Sequence, residues 1–215
     1  MTTREIVIAV AAGALWTVAL TLAALIIGIA VGAVLCAMRT ARSRFLGYIA
    51  AVLILTFRSV PPIVWLFLIF FGVGAEIIQV KPFEAAAIGL GLITGANLGE
   101  IFRGSFAAIH HGQWEAARAL SLPPGSRFID VIGPQLLRVA LPSVATYSIG
   151  LLKDTAIASV IGVPEIAFQA SHVSQRTYIG LEVFAVAGGL YILMSMPIAW
   201  LTRLIDRRLR MRVAR

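Results

Sequence analysis

Long apolar runs separated by short basic clusters set the pattern of this chain. A helix that crosses a bilayer needs about 20 mostly apolar residues, and five segments supply them. The first lies within Ala9–Met38, the second within Phe45–Val73, the third over Phe83–Ile109, the fourth within Val139–Val163 and the fifth over Leu181–Leu204. Pro61-Pro62 breaks the second run, and Pro197 predicts a kink in the fifth. The apolar stretch from Ile6 to Met38 far exceeds the roughly 7–15 residues of a signal-peptide core, so it reads as a retained span. The expectation is an all-α integral membrane protein of about five transmembrane helices, with residues 1–215 forming a single transmembrane domain.

Composition sharpens this picture. Hydrophobic residues make up 60% of the 215 and charged residues 13%, where a soluble domain carries about 25% charged. The mean hydropathy of +0.93 agrees. A net charge of +8 raises the question of nucleic acid. The basic residues, however, flank apolar runs instead of interleaving with aromatics on a polar segment, which argues for a lipid membrane and against nucleic acid. The single Cys36 has no partner for an internal disulfide.

The basic flanks also predict orientation, because cytoplasmic loops are enriched in Lys and Arg. Arg39, Arg42 and Arg44 lie between spans one and two. Arg103, Arg118, Arg127 and Arg138 lie between three and four. Arg203, Arg207, Arg208, Arg210, Arg212 and Arg215 follow span five, against only Arg4, Lys81 and Arg176 on the other side. The N-terminus is therefore expected outside and the C-terminus in the cytoplasm, with the loop between spans three and four cytoplasmic.

That loop, His110 to about Leu141, is the longest polar stretch. Gly112-Gln113-Trp114-Glu115-Ala116-Ala117-Arg118-Ala119-Leu120 is rich in helix formers, and Glu115 is placed to pair with Arg118. Ser121-Leu122-Pro123-Pro124-Gly125 ends this helix. A second one is expected to restart near Pro124, with Phe128, Val131 and Ile132 on one face and Arg127 and Asp130 on the other. Gly133-Pro134 is expected to interrupt it before span four. Such a cytoplasmic helix–turn–helix is either a docking element or a connecting hairpin lying on the membrane.

Ionisable groups inside apolar spans are costly and must face protein or water. Arg58, Asn97, Glu100, Lys153 and Asp154 are the candidates for a translocation path. Lys153 and Asp154 point about 100° apart on a helix and so need partners elsewhere; Arg58, Glu100 and Glu165 are possible ones. The alternative reading is structural, with these groups forming ion pairs between helices or lying at the membrane boundary. His110-His111 lacks the Cys or carboxylate company of a metal site, and no cofactor is implied. Gly28 and Gly32 have the spacing that permits close helix packing.

Two function classes find little support in the residues. A membrane-embedded enzyme needs a nucleophile with its base or clustered metal ligands, and Asp130, Asp154 and Asp206 are scattered. A self-sufficient secondary transporter favours inverted repeats and more spans. ATP hydrolysis by this chain needs a P-loop lysine, and neither of its lysines, Lys81 and Lys153, lies in that context.

The loop itself decides. Glu115-Ala116-Ala117, a turn, and a returning helix ending Val131-Ile132-Gly133-Pro134 resemble the EAA loop of bacterial ABC importer permeases. Glu100-Ile101-Phe102-Arg103-Gly104, Leu151-Leu152-Lys153-Asp154-Thr155, Ser159-Val160-Ile161-Gly162-Val163-Pro164-Glu165 and Arg58-Ser59-Val60-Pro61-Pro62 are similar to segments of the polar-amino-acid permease family, in the same order. The chain departs from that pattern in four places. Ser121 stands for a glycine, Asn97 for an aromatic before Glu100, Gly133-Pro134 for Leu-Pro, and Leu122-Pro123-Pro124 for a Met-Ser-like start. The resemblance implies a non-enzymatic permease subunit of the bacterial inner membrane that imports a polar amino acid or similar small solute. Its implied partners are a separate ABC ATP-binding subunit, an extracytoplasmic solute-binding protein and a second permease subunit, identical or related. Gln113, Glu115, Ala116, Ala117, Ser121, Leu122 and Pro124 are the implied ATPase-docking residues.

Overall fold

The computed structural model describes residues 1–73 and 79–211, with side chains to Leu204 apart from Val73. The basic tail from Arg207 onward, Asp206 and the last residue of the expected second span lie outside the described side chains. Every regular element among the described residues is a helix. We label α1 (Thr3–Ala11), α2 (Ala14–Thr40), α3 (Arg44–Ser59), α4 (Pro62–Phe67), α5 (Pro82–Ala107), α6 (His111–Ala119), α7 (Gly133–Asp154), α8 (Ile166–Thr177) and α9 (Gly180–Met211).

Among the described residues, four helical runs are long and apolar enough to cross a membrane: Thr3–Thr40, Pro82–Ala107, Pro124–Ile161 and Gly180–Leu204. A fifth crossing arises if α3 and the following Pro62–Gly72 segment count as one broken span, since the two meet at 102°. The break follows from the sequence. Val60 is extended (φ −94°, ψ 132°) ahead of Pro61, and Pro62 starts the next helix. After α4 the chain widens into a π-helical turn over Leu68–Val73.

Three apolar cores hold the helices, the third joining Leu35 of α2, Ala50 and Ile54 of α3 and Ala96 of α5. In the first, Leu20 and Ala24 of α2, Leu66 of α4, Ala85–Ala87 and Leu90 of α5 and Leu151 of α7 pack with Ala158, Ile161 and Val163. In the second, Ile6 and Val10 of α1 pack with Ile166, Ala170 and Val173 of α8 and Val183 and Ala187 of α9. The most extensive helix pairing is α2 on α5, and it is built on glycine. A Cβ on Gly28 would collide with Thr94 Cγ2, one on Gly95 would fall 2.5 Å from Val31 Cγ1, and one on Gly32 3.0 Å from the Gly99 backbone nitrogen. The expected close approach at Gly28 and Gly32 is thus met by Gly91, Gly95 and Gly99, one helical turn apart on the facing helix.

One expectation is corrected. Gly133-Pro134 does not interrupt the chain: Arg127–Ile132 winds as a π-helix, Gly133 N–H reaches back to the Phe128 carbonyl, and the helix enters α7 without a break. A wider turn relieves the clash and the missing donor that proline brings to an α-helix. The helix over Gly180–Met211 continues through Pro197. The polar stretch after span four, which carries no span signal, forms the twelve-residue α8, capped by the Glu165 side chain at its start and closed by Tyr178 at φ 59°.

Candidate functional site: a rigid hairpin and a polar span surface

The hairpin between α5 and α7 is fixed at every joint. α5 ends on Ala108, and Ile109, 7% exposed, anchors the connection in the protein. His110 caps α6 by accepting the Gly112 N–H on Nδ1 at 3.1 Å, a use for this histidine that the sequence does not signal. Trp114 packs its ring 5.0 Å from Phe106 at the end of α5. Glu115 faces His111 at 3.2 Å and not Arg118, whose Nε donates to the Trp114 carbonyl.

The far end of α6 closes with a Schellman turn. Leu122 N–H donates to the Ala117 carbonyl at 3.2 Å and Ser121 N–H to the Arg118 carbonyl at 2.9 Å. Ser121 sits at φ 54°, the left-handed position where glycine carries no penalty. The Pro123-Pro124 pair then starts the second limb, with Pro124 in the first helical turn. Arg127, expected with Asp130 on the face opposite Phe128, donates to the Leu122 carbonyl at 3.0 Å. Gln135 Nε2 donates to Gln113 Oε1 at 3.1 Å, tying the limbs together.

These joints sort the docking candidates. Glu115, Ala116, Ser121 and Pro124 face outward, Leu122 is half-buried, Gln113 is held by Gln135, and Ala117 is buried beneath the helix at 2% exposure. Two apolar residues that the motif does not mark join the outer surface: Leu120, 72% exposed, and Ile129, 70% exposed. The only advance signal for Leu120 is a leucine just before a helix stop. Ile129 is turned outward by the π winding, which an α-helical pattern misplaces.

The path candidates separate into three groups. Glu100 is neutralised: its Oε2 accepts from Arg103 Nη2 at 2.7 Å and Nε at 3.0 Å, and Arg39 of α2 lies 3.8 Å from Oε1. Asn97 donates to the Ile93 carbonyl at 2.9 Å and to the Tyr147 hydroxyl at 3.4 Å, while Tyr147 donates to Thr94 at 3.4 Å. This forms a small polar contact between α5 and α7. Arg58, Lys153 and Asp154 are exposed on the chain. Among the described residues none of them forms an ion pair, the interhelical pairing considered for Lys153 and Asp154 included. Lys153 lines a cleft of about 1090 Å³ between α7 and α9, with Tyr191, Trp200 and Arg203 on the opposite wall.

Residues 24–211 match the family described as the binding-protein-dependent transport system inner membrane component. The chain is 32% identical to a probable amino-acid ABC transporter permease protein of Sinorhizobium fredii over 81% of this chain and 76% of that one. It is 30% identical to the arginine ABC transporter permease ArtQ of Haemophilus influenzae over 85% of each chain. It is also 30% identical to the L-cystine transport system permease TcyB of Bacillus subtilis over 94% of this chain and 87% of that one. Among solved structures, a chain of an amino acid ABC transporter superposes with a TM-score of 0.87 at 29% identity, covering 97% of this chain and 100% of the other. A chain of the inward-facing MetNI methionine ABC transporter shares the fold, with a TM-score of 0.78 at 20% identity over 97% of this chain and 99% of the other. With its apolar spans and its match over most of its length, the chain belongs to the inner-membrane, multi-pass components of binding-protein-dependent transport systems.

Proposed function

We propose that this chain is the permease subunit of an ATP-driven importer, forms half of the path for a polar amino acid or close analogue, and leaves ATP hydrolysis to a separate subunit. The observation that carries the reading is the continuity of the second hairpin limb with the fourth span. Helical backbone runs unbroken from Pro124 to Asp154, which at about 1.5 Å per residue makes a rod of roughly 45 Å. That exceeds the roughly 30 Å of a hydrocarbon core, so the rod reaches well out of the membrane at the hairpin end.

An ATP-binding partner that grips α6 through Glu115, Ala116, Leu120, Ser121 and Pro124 would move this rod. Its other end is Lys153 and Asp154. In this reading the N-terminus is outside, the hairpin and the C-terminus are cytoplasmic, and residues 1–215 act as one transmembrane domain.

Arg58, Lys153 and Asp154 support the location of the path. An ionised side chain at mid-bilayer costs at least about 2.5–3.5 kcal/mol on insertion scales, so the surface bearing these groups belongs against water and a second permease subunit. Arg58 or Lys153 suits a solute carboxylate and Asp154 an ammonium. Asn97 offers a polar contact beside them, and Glu100, held by two arginines, supports the α2–α5 pair. An extracytoplasmic binding protein delivers the solute. The relatives that transport arginine and cystine by name support the amino-acid class.

The test is uptake of the twenty protein amino acids, read by mass spectrometry, in cells carrying the complete transporter. An ATP-dependent gain in one or a few of them is expected. Uptake that follows a proton or sodium gradient without ATP would overturn the reading.

A further inference from the structure

Glu165 is fully buried, and neither the hairpin nor the candidate path uses it. A buried carboxylate is tolerated only where its oxygens are satisfied, and here each oxygen is held by a different element. Oε1 accepts the Phe168 N–H of α8 at 2.7 Å, and Oε2 accepts the Tyr191 hydroxyl of α9 at 2.5 Å. A smaller capping side chain, such as Ser or Asn, satisfies the first contact alone. The second needs a side chain of this length with a second polar atom at its end.

The backbone around Glu165 is clamped from a third side. Ile166 N–H donates to the Thr17 hydroxyl of α2 at 3.3 Å, and that hydroxyl donates to the Gly13 carbonyl at 3.3 Å. A Cβ on Gly13 would collide with the Glu165 carbonyl carbon and fall 2.5 Å from the Ile166 nitrogen. The chain passes between the first and second cores at Gly13 and again at Glu165, and both crossings meet at this one point.

Between Asp154 and Glu165 runs a short strap. It is a 3₁₀ turn over Thr155–Ile161, closed by Gly162 at φ 92°, followed by Val163 and Pro164. Its buried residues Ala158, Ile161 and Val163 pack into the first core. Its near end is Asp154, and its far end is gripped through Tyr191, which also walls the cleft that Lys153 lines.

We propose that Glu165 is a positioning residue for the solute path: by joining Tyr191, the α8 amide and the Gly13–Thr17 clamp, it fixes the far end of the strap whose near end presents Asp154. This rests on the assignment of Asp154 to the path. The wall of α9 and the strap then move as one piece when α7 is displaced.

The experiment compares Glu165→Ala, Glu165→Gln, Tyr191→Phe and Asp154→Asn in the complete transporter. Amino-acid uptake from the defined mixture and ATP turnover are measured at equal amounts of assembled complex. A loosened strap displaces a path group by about an ångström, so Glu165→Ala is expected to lower uptake on the order of tenfold or more while ATP turnover persists. Glu165→Gln keeps one oxygen for the Phe168 N–H and an amide NH2 that can donate to the Tyr191 oxygen, so it is expected to restore uptake to within roughly threefold of the parent, with Tyr191→Phe intermediate. Proportional loss of uptake and ATP turnover in both Glu165→Ala and Tyr191→Phe would mark a merely structural residue and overturn the proposal. Parental uptake in Glu165→Ala alongside a dead Asp154→Asn would overturn it alone. Parental uptake in Asp154→Asn would instead remove Asp154 from the path, and the proposal with it.

Discussion

Leu122 reaches back over Ser121 to hydrogen-bond the Ala117 carbonyl at 3.2 Å, and this bond ends the hairpin's first helix in a fixed geometry. Ser121 is the residue that bears the cost. A left-handed residue with a Cβ is disfavoured by roughly 1–2 kcal/mol. Ser121→Gly is therefore expected to stabilise the hairpin by about 1 kcal/mol and to keep transport. Ser121→Val, β-branched at φ 54°, is expected to loosen it. Hydrogen exchange of the α6 amides reads both effects, slower for Gly and faster for Val.

The two alanines of the motif face opposite ways and separate docking from folding. Ala116 is exposed, so Ala116→Arg is expected to leave insertion and hairpin protection intact and to abolish binding of the ATPase subunit. Ala117 is buried, so Ala117→Arg places a charge under α6 and is expected to unfold the hairpin itself. Limited proteolysis distinguishes them: cleavage in residues 110–135 should rise for Ala117→Arg alone.

The α2–α5 pair makes a prediction about glycine. Gly28→Val meets Thr94 at once, and overpacking of this kind costs about 1–3 kcal/mol. Gly150, where an added methyl would meet nothing within 4 Å, is the control. Gly150→Ala is expected to be neutral or stabilising by up to about 1 kcal/mol. Thermal unfolding in mild detergent should order the three as Gly150→Ala, parent, Gly28→Val.

Glu100 holds Arg103 at 2.7 Å with Arg39 close by. Glu100→Ala leaves both guanidinium groups without their carboxylate. Charge-assisted hydrogen bonds are worth about 1.5–3 kcal/mol when sheltered and less where water reaches them, as it does here. The expected result is lower thermal stability with an unchanged solute profile. A changed profile at parental stability would return Glu100 to the path.

Much of the architecture is legible in the sequence, because a span is long and its apolar signal accumulates over some 20 residues. The third and fifth spans agree with the helices Pro82–Ala107 and Gly180–Met211 to within a few residues at their starts. Short-range exceptions are not legible. α8 is polar and twelve residues long, so no hydropathy window detects it. The passage through Gly133-Pro134 depends on a π turn that breaks the 3.6-residue period by which faces are assigned. In the candidate site, the hairpin is readable from its motif and its proline pair, and the left-handed Ser121 from the glycine it replaces. The ion pair of Glu100 with Arg103 follows from i,i+3 spacing, whereas the meeting of Glu165 with Tyr191 and Thr17 joins residues far apart in the chain and leaves no local trace.

The central claim is that this chain works with a separate ATPase gripping the hairpin. The most direct measurement is affinity purification of the tagged chain and of Ala116→Arg from native membranes in mild detergent, with mass spectrometry of bound proteins. The account predicts stoichiometric recovery of an ABC ATP-binding subunit with the parent and its loss with Ala116→Arg. An intact, folded parent chain that brings down no ATPase would contradict it.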